Sequence, residues 1–187
     1  DGDGNVAVGY EALKTLEPSD GLNYNVAVGY QAGLSTTTAV SNTLIGALAG
    51  DALTDGGENV AIGTAALTSD TRGSHSTAVG RGALQVQNLS SATDVNNTAV
   101  GFQAGASVTT GVRNTLMGSG AGDAITTGNQ NTIVGEGAGT ALTDADYNVV
   151  LGRAALAADT KGSRSTALGY NALGTQNFSS ATDTFNT

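Results

Sequence analysis

One histidine and a scatter of carboxylates are the side chains in this 187-residue sequence that could do chemistry. A histidine beside an acid can shuttle a proton or hold a metal ion. Two facing carboxylates can cleave a glycosidic bond. Neither chemistry survives a look at the neighbours. His75 has a counterpart 89 residues on, and it is Arg164, which neither binds metals nor exchanges protons near neutrality. His75 therefore reads as an exposed basic loop residue. Asp70 recurs as Asp159, with Arg72 or Lys161 two residues later. An active site usually breaks a repeat, whereas these acids are copied with it, so they read as turn scaffolding. No catalytic residue is assigned, and the chain is not expected to be an enzyme.

Calcium is the one ion the acidic turns suggest. Asp1-Gly2-Asp3-Gly4-Asn5, Asp55-Gly56-Gly57-Glu58 and Asp144-Ala145-Asp146 gather oxygen ligands. None matches an EF-hand loop or the glycine-rich calcium nonapeptide. Turns favour Asp and Gly for their own reasons, so no metal-ligating residue is assigned and no cofactor is expected.

What these residues share is a repeat that positions them. Asn97-Thr98-Ala99-Val100-Gly101-Phe102-Gln103-Ala104-Gly105 is one of ten related segments, and Asn131, Val134, Gly135 and Ala138 are the same four columns two repeats later. The repeat glycines are Gly9, Gly29, Gly46, Gly63, Gly80, Gly101, Gly118, Gly135, Gly152 and Gly169. They advance by 20, 17, 17, 17, 21, 17, 17, 17 and 17 residues. That is too short and too rich in Gly, Thr, Val and Asn for a helical repeat. It predicts an all-β chain, a parallel β-solenoid with one coil per repeat, about 4.8 Å apart and roughly 48 Å long for ten coils. Stacked Asn can pass amide hydrogen bonds between coils. The glycine suits a corner needing positive φ or close approach, and the alanine a place with room for one methyl. A second column seven residues earlier (Gly56, Gly73, Gly111, Gly128 and Gly162, with Ala39 and Ala145) predicts a flattened coil with two strands.

Residues 29–80 match 118–169 at the offset of 89, so the chain reads as one domain of two five-coil super-repeats, about 1–94 and 95–187. The first coil carries extra residues around Leu16-Glu17-Pro18-Ser19-Asp20. Each super-repeat ends in a longer loop, 85–95 and 174–184, with Leu89 and Phe178 at matching tips. Such insertions project from one face of a solenoid. A spacer role is expected for them, with Leu89 and Phe178 as candidate surface-binding residues. The position after each glycine varies, and its aromatics Tyr10, Tyr30, Phe102 and Tyr170 are further candidates, either for a receptor or for a neighbouring chain.

Alternation along the strand places the residue before the glycine on one face with the Val/Thr two positions earlier. Asn shares the other face with an apolar column: Ala7, Ala27, Leu44, Ala61, Ala78, Ala99, Leu116, Ile133, Val150 and Ala167. The Val/Thr face is expected inward and the Ala/Leu/Ile/Val column outward. A strand apolar on both faces is normally covered on both, so further copies around an axis are expected.

Composition bounds the partners. The net charge of −9 with seven Lys and Arg excludes a nucleic-acid partner. No apolar run reaches the length of a membrane span, and the absence of cysteine removes thiolate and disulfide chemistry. Aromatics at 4% and charged residues at 12% leave stacking between neighbours as the source of stability. The ends stop within motifs and read as those of a segment of something longer.

Segments such as Asn25-Val26-Ala27-Val28-Gly29-Tyr30-Gln31-Ala32-Gly33 and Ser165-Thr166-Ala167-Leu168-Gly169-Tyr170-Asn171-Ala172-Leu173 resemble the head repeats of YadA-type trimeric autotransporter adhesins. They resemble equally the repeats of phage and virus tail fibres that precede a self-cleaving chaperone domain. The resemblance covers the whole chain and implies a left-handed parallel β-roll assembled as a homotrimer. It carries over no ligand-binding residue, because the shared motif is the scaffold. The spacing differs from the adhesin head repeat, and neither membrane anchor nor chaperone domain is present in the sequence. The function expected is an extracellular fibre segment, on a cell surface or virion, displaying surfaces for attachment to host glycan or protein. The alternatives are a fibre-borne polysaccharide-degrading spike and a monomeric solenoid forming a filament or sheath. Ice binding is set aside because its outward Thr array conflicts with the inward face expected for Thr.

Overall fold

The computed structural model describes residues 4–17, 23–89 and 91–186. Asp1 to Asp3 of the first acidic turn, and Pro18, Ser19 and Asp20 of the first-coil insertion, lie outside them. The described chain is all-β without a helix. Fourteen strands, β1 to β14 in chain order, are short. Ten of them, β1 (Val6–Val8), β2 (Val26–Val28), β3 (Thr43–Ile45), β4 (Val60–Ile62), β6 (Thr77–Val79), β8 (Thr98–Val100), β9 (Thr115–Met117), β10 (Thr132–Val134), β11 (Val149–Leu151) and β13 (Thr166–Leu168), form one parallel sheet in chain order. Register is strict: Thr98 pairs with Thr115, Ala99 with Leu116 and Val100 with Met117. Every coil contributes one rung, as the glycine period requires.

The second strand per coil is mostly missing. Among the described residues only β5 (Gly73–Ser74) pairs with β7 (Thr93–Asp94), and β12 (Gly162–Ser163) with β14 (Thr182–Asp183). Coils turn through the left-handed region five before, two after and four after the glycine, as at Glu58 (φ 58), Ala65 (φ 56) and Leu67 (φ 55). A second extended pair forms where the long loops lay Thr93–Asp94 and Thr182–Asp183 beside Gly73–Ser74 and Gly162–Ser163.

The faces are the reverse of the expected ones. Asn25, Asn42, Asn59, Asn97, Asn114, Asn131 and Asn148 are buried, and so are Ala27, Leu44, Ala61, Ala99, Leu116, Ile133 and Val150. The Val/Thr columns point outward. Each of these Asn side chains is fully occupied inside. Asn131 Nδ2 donates to the Ala145 carbonyl at 2.8 Å, and its Oδ1 accepts from Asn148 N at 2.9 Å. A buried amide with every hydrogen bond made has no reason to seek water. The second glycine column is where these amides meet the backbone: Asn114 Nδ2 reaches Gly128 O at 2.9 Å and Asn148 Nδ2 reaches Gly162 O at 3.0 Å.

The expected roles of glycine and alanine hold. Ala104 and Ala138 are fully buried. At Gly135, φ is +138, and a Cβ would stand 2.5 Å from the Gly152 carbonyl oxygen.

Seven residues after the glycine runs an inner column of Leu53, Val108, Ile125 and Leu142. Thr36 takes this place in the second coil, fully buried, with an Oγ1 that finds no partner. Thr36→Val should therefore stabilise the fold by about 1 kcal/mol, since it removes an unpaired buried hydroxyl. Urea unfolding checks this, through an increased midpoint at unchanged slope.

Candidate functional site

The one extended surface that could act is the outer side of the ten-stranded sheet. Its two central columns are apolar or Thr: Val28, Ile45, Val79, Val100, Met117 and Leu151 beside Val26, Thr43, Thr77, Thr98, Thr115 and Val149. Large apolar side chains stand in water there, Ile45 at 37%, Leu151 at 52% and Leu168 at 62% of their surface. Ten strands at strand spacing make these columns cover about 500 Å². A monomer's largest apolar patch is usually about 300–600 Å². The outward threonines also remove the ground on which ice binding was set aside.

A ridge runs along each edge of this face. One is the variable column after the glycine. Tyr10 and Tyr30 stack in it with centroids 5.5 Å apart. The Arg81 guanidinium lies 5.6 Å from the Phe102 ring, and Arg153 lies 5.8 Å from Tyr170 while holding Glu136 at 3.2 Å. All four candidate aromatics of this column are exposed, Tyr170 at 74%. Hydrogen bonding to Glu11 and that residue's negative charge hold the Tyr10 phenol above its ordinary pKa, while the Lys14 and Gln31 hydrogen bonds hold the Glu11 carboxyl below its own.

The opposite ridge stands five before the glycine. It carries His75 between Glu58 (Nε2 to Oε2, 3.1 Å) and Asp94 (Nδ1 to Oδ1, 3.1 Å). Arg164 there lies between the rings of Tyr147 and Phe185 and pairs with Asp183. Sequence reading did not identify this ridge, although its period of 17 is the same; its residue types vary too much to form a visible column.

The two long loops do not project as expected. Leu89 is 8% exposed and Phe178 is half-buried; a Cβ on Gly162 would meet the Phe178 ring at 3.0 Å. The Phe178 ring folds back over Gly162, and Leu89 is buried in its own loop's coil. What the loops add is polar and internal. Gln87 Nε2 donates to Asp70 Oδ2 at 2.5 Å and to Ser76 Oγ at 3.1 Å, and its Oε1 accepts from Asn97 Nδ2 at 2.9 Å. Gln176 repeats this with Asp159, Ser165 and Asn186. Ser76 and Ser165 are the two places where Asn is missing from its column, and the loop glutamine restores the ladder. The coincidence of Ser-for-Asn with the glutamine eleven residues later was legible in the sequence. Asp70 also accepts from Gly73 N at 2.8 Å, so both buried acids are committed to the scaffold.

The acidic turns are likewise engaged. Asp55 pairs with Arg72 and Asp144 with Lys161, each at 3.6 Å, while Asp146 Oδ1 accepts from Asn129 N at 2.6 Å. Among the described residues no group of three His, Cys, Asp or Glu converges on a metal position. An open concavity of about 340 Å³ on the last coil, lined by Thr166, Ala167, Leu168, Ala172 and Leu173, offers apolar stacking surface and one hydroxyl.

Asp123 is the acid with an unmet need. Its Oδ1 is buried without a partner, and burial raises its pKa above the ordinary aspartate value. A raised folded-state value means the native state binds the proton more tightly than the unfolded chain. Its favourable contribution is thus fullest below the ordinary aspartate range and falls as pH rises through the elevated value. Asp123→Asn should raise the melting temperature at pH 7 by a few degrees and change it little at pH 3, as thermal melts at the two pH values would show.

Comparisons of this chain with protein-family models, curated proteins and solved structures gave no match.

Proposed function

We propose that the chain is a structural and adhesive segment of an extracellular homotrimeric fibre, whose mechanism is rigid display of attachment surfaces. The observation that carries this reading is the uninterrupted outer face of Val, Ile, Leu, Met and Thr on a sheet of ten registered strands. Three such faces turned toward one axis bury one another, and the coils become a stiff rod held by nearest-neighbour stacking. The resemblance of the repeat to adhesin heads and tail fibres points the same way, with the outward column being Val/Thr rather than Ala/Leu. A cell-surface or virion location follows from that use. Host glycan or protein is the proposed target, met by the side of the coil turned away from the axis.

Small-angle X-ray scattering tests the architecture. The expected particle is a rod about 48 Å long whose cross-section holds three chains; a one-chain cross-section contradicts it. Beads coated with the segment test attachment. Binding to host cells is expected, and equal binding by uncoated beads would sink the adhesive half of the reading.

A further inference from the structure

The outer face has four columns, not two. Residues five before, three before, one before and one after the glycine alternate outward, so an apolar seam lies between two ridges of charged and aromatic residues. Coiled coils share this layout, and there the flanking charges set partner and register. We propose that the two ridges fix how copies of this chain meet: the ridge after the glycine on one copy faces the ridge five before the glycine on the next, one coil earlier. The inference rests on the proposed homotrimer and adds which residues touch.

The ridges are complementary in that register. Arg81 faces Glu58, Glu136 faces Arg113, and Tyr170 faces Tyr147. Ala47 faces Tyr24 and Tyr30 faces Gly4, in each case small against large. No like charges meet. Levelled coil for coil, Arg81 instead faces His75, Arg113 faces Ser119 and Glu136 faces Gln130, so neither acid meets a cation. Shifted one coil the other way, Arg153 faces Arg164 and Glu58 faces Ala47. Like-charge contact and unmet acids are how interfaces reject wrong pairings.

Arg113 selects between the three. It is exposed and makes no ion pair or ring contact within the described chain. Both acids have capacity left. Glu58 uses Oε2 for His75, and Glu136 uses Oε2 for Arg153, leaving Oε1 of each for the neighbouring copy. Six residues separate the ridges, about 20 Å, so an inclination of roughly 14° supplies one coil spacing of about 4.8 Å. Sheets closed around an axis need such a tilt and stagger.

The chain has no cysteine, which makes disulfide trapping clean. Three double variants sample the three registers: Arg113→Cys with Glu136→Cys, with Ser119→Cys, or with Phe102→Cys. Within one chain each pair spans the face, far beyond the roughly 7 Å between Cα atoms that a disulfide tolerates, so any bridge joins two copies. Mild oxidation should convert most of the Glu136 pair to covalent trimer on a non-reducing gel and leave the other two as single chains. Bridging of the Ser119 or Phe102 pair instead, or of none, in a protein of trimeric native mass would overturn the register and leave the trimer standing. A single-chain native mass before oxidation would overturn the reading on which the register rests.

Discussion

Asn131→Ala should cost about 3–5 kcal/mol of stability, more than removal of any exposed ion pair in the molecule. The side chain joins three coils. Its Nδ2 reaches Asn114 Oδ1 at 3.1 Å and Ala145 O at 2.8 Å, and its Oδ1 accepts from Asn148 N at 2.9 Å and Asn148 Nδ2 at 3.1 Å. Truncation leaves the Ala145 carbonyl and the Asn148 amide without partners in a fully enclosed place. Each buried orphan costs about 1–3 kcal/mol, and a small cavity adds to it. Surface ion pairs such as Arg72–Asp55 contribute about 0–1 kcal/mol at most. Because solenoid stability is a sum over neighbours, the damage should be local. Hydrogen exchange should accelerate around coils seven to nine and stay slow around Asn42. Uniform acceleration would contradict nearest-neighbour stacking.

The second large effect is steric. Gly135→Ala should cost about 3 kcal/mol or more. A φ of +138 is a region side chains rarely adopt, at about 1–3 kcal/mol. Its Cβ would also stand 2.5 Å from Gly152 O and 2.6 Å from Gly152 C, where backbone cannot yield without lengthening the ladder bonds of β10 and β11. Ala138→Gly, a control three residues away, removes one buried methyl at helix-free backbone and should cost far less, about 1 kcal/mol. Guanidinium unfolding of the two variants gives the comparison. Similar midpoints would mean the coils can separate freely at the glycine corner.

How much of this was legible follows from what a column pattern encodes. Invariant Gly and Ala betray their roles because few physical reasons exclude every larger side chain. The parallel register follows directly from a period of 17. Orientation is harder. Ala99 and Val100 are both apolar, so alternation alone separates the two faces without saying which is inside. The choice is made by Asn97, whose amide finds carbonyl and amide partners only within the coil, including Gly111 O at 2.8 Å. The Val, Ile, Leu and Met that share a face with Thr suggest the interior, and that choice inverts the faces. Phe178 shows the same limit for loops: an apolar tip suggests reaching out, yet its ring packs over Gly162. The candidate aromatics Tyr10, Tyr30, Phe102 and Tyr170 lie on the surface, but a varying column carries no signal of what it meets.

The central claim is that the outer Val/Thr face is covered by further copies of the chain. Static light scattering across a hundredfold dilution tests it most directly, beside a Val100→Glu variant whose substitution lies on that face and leaves the inner packing untouched. The account predicts a mass about three times 18.3 kDa that persists on dilution. It predicts that Val100→Glu gives single chains with an unchanged β circular dichroism spectrum, since a carboxylate in the buried seam meets its symmetry mates. A single-chain mass for the unsubstituted protein at every concentration would contradict the account, leaving the Thr/Val array bare to water.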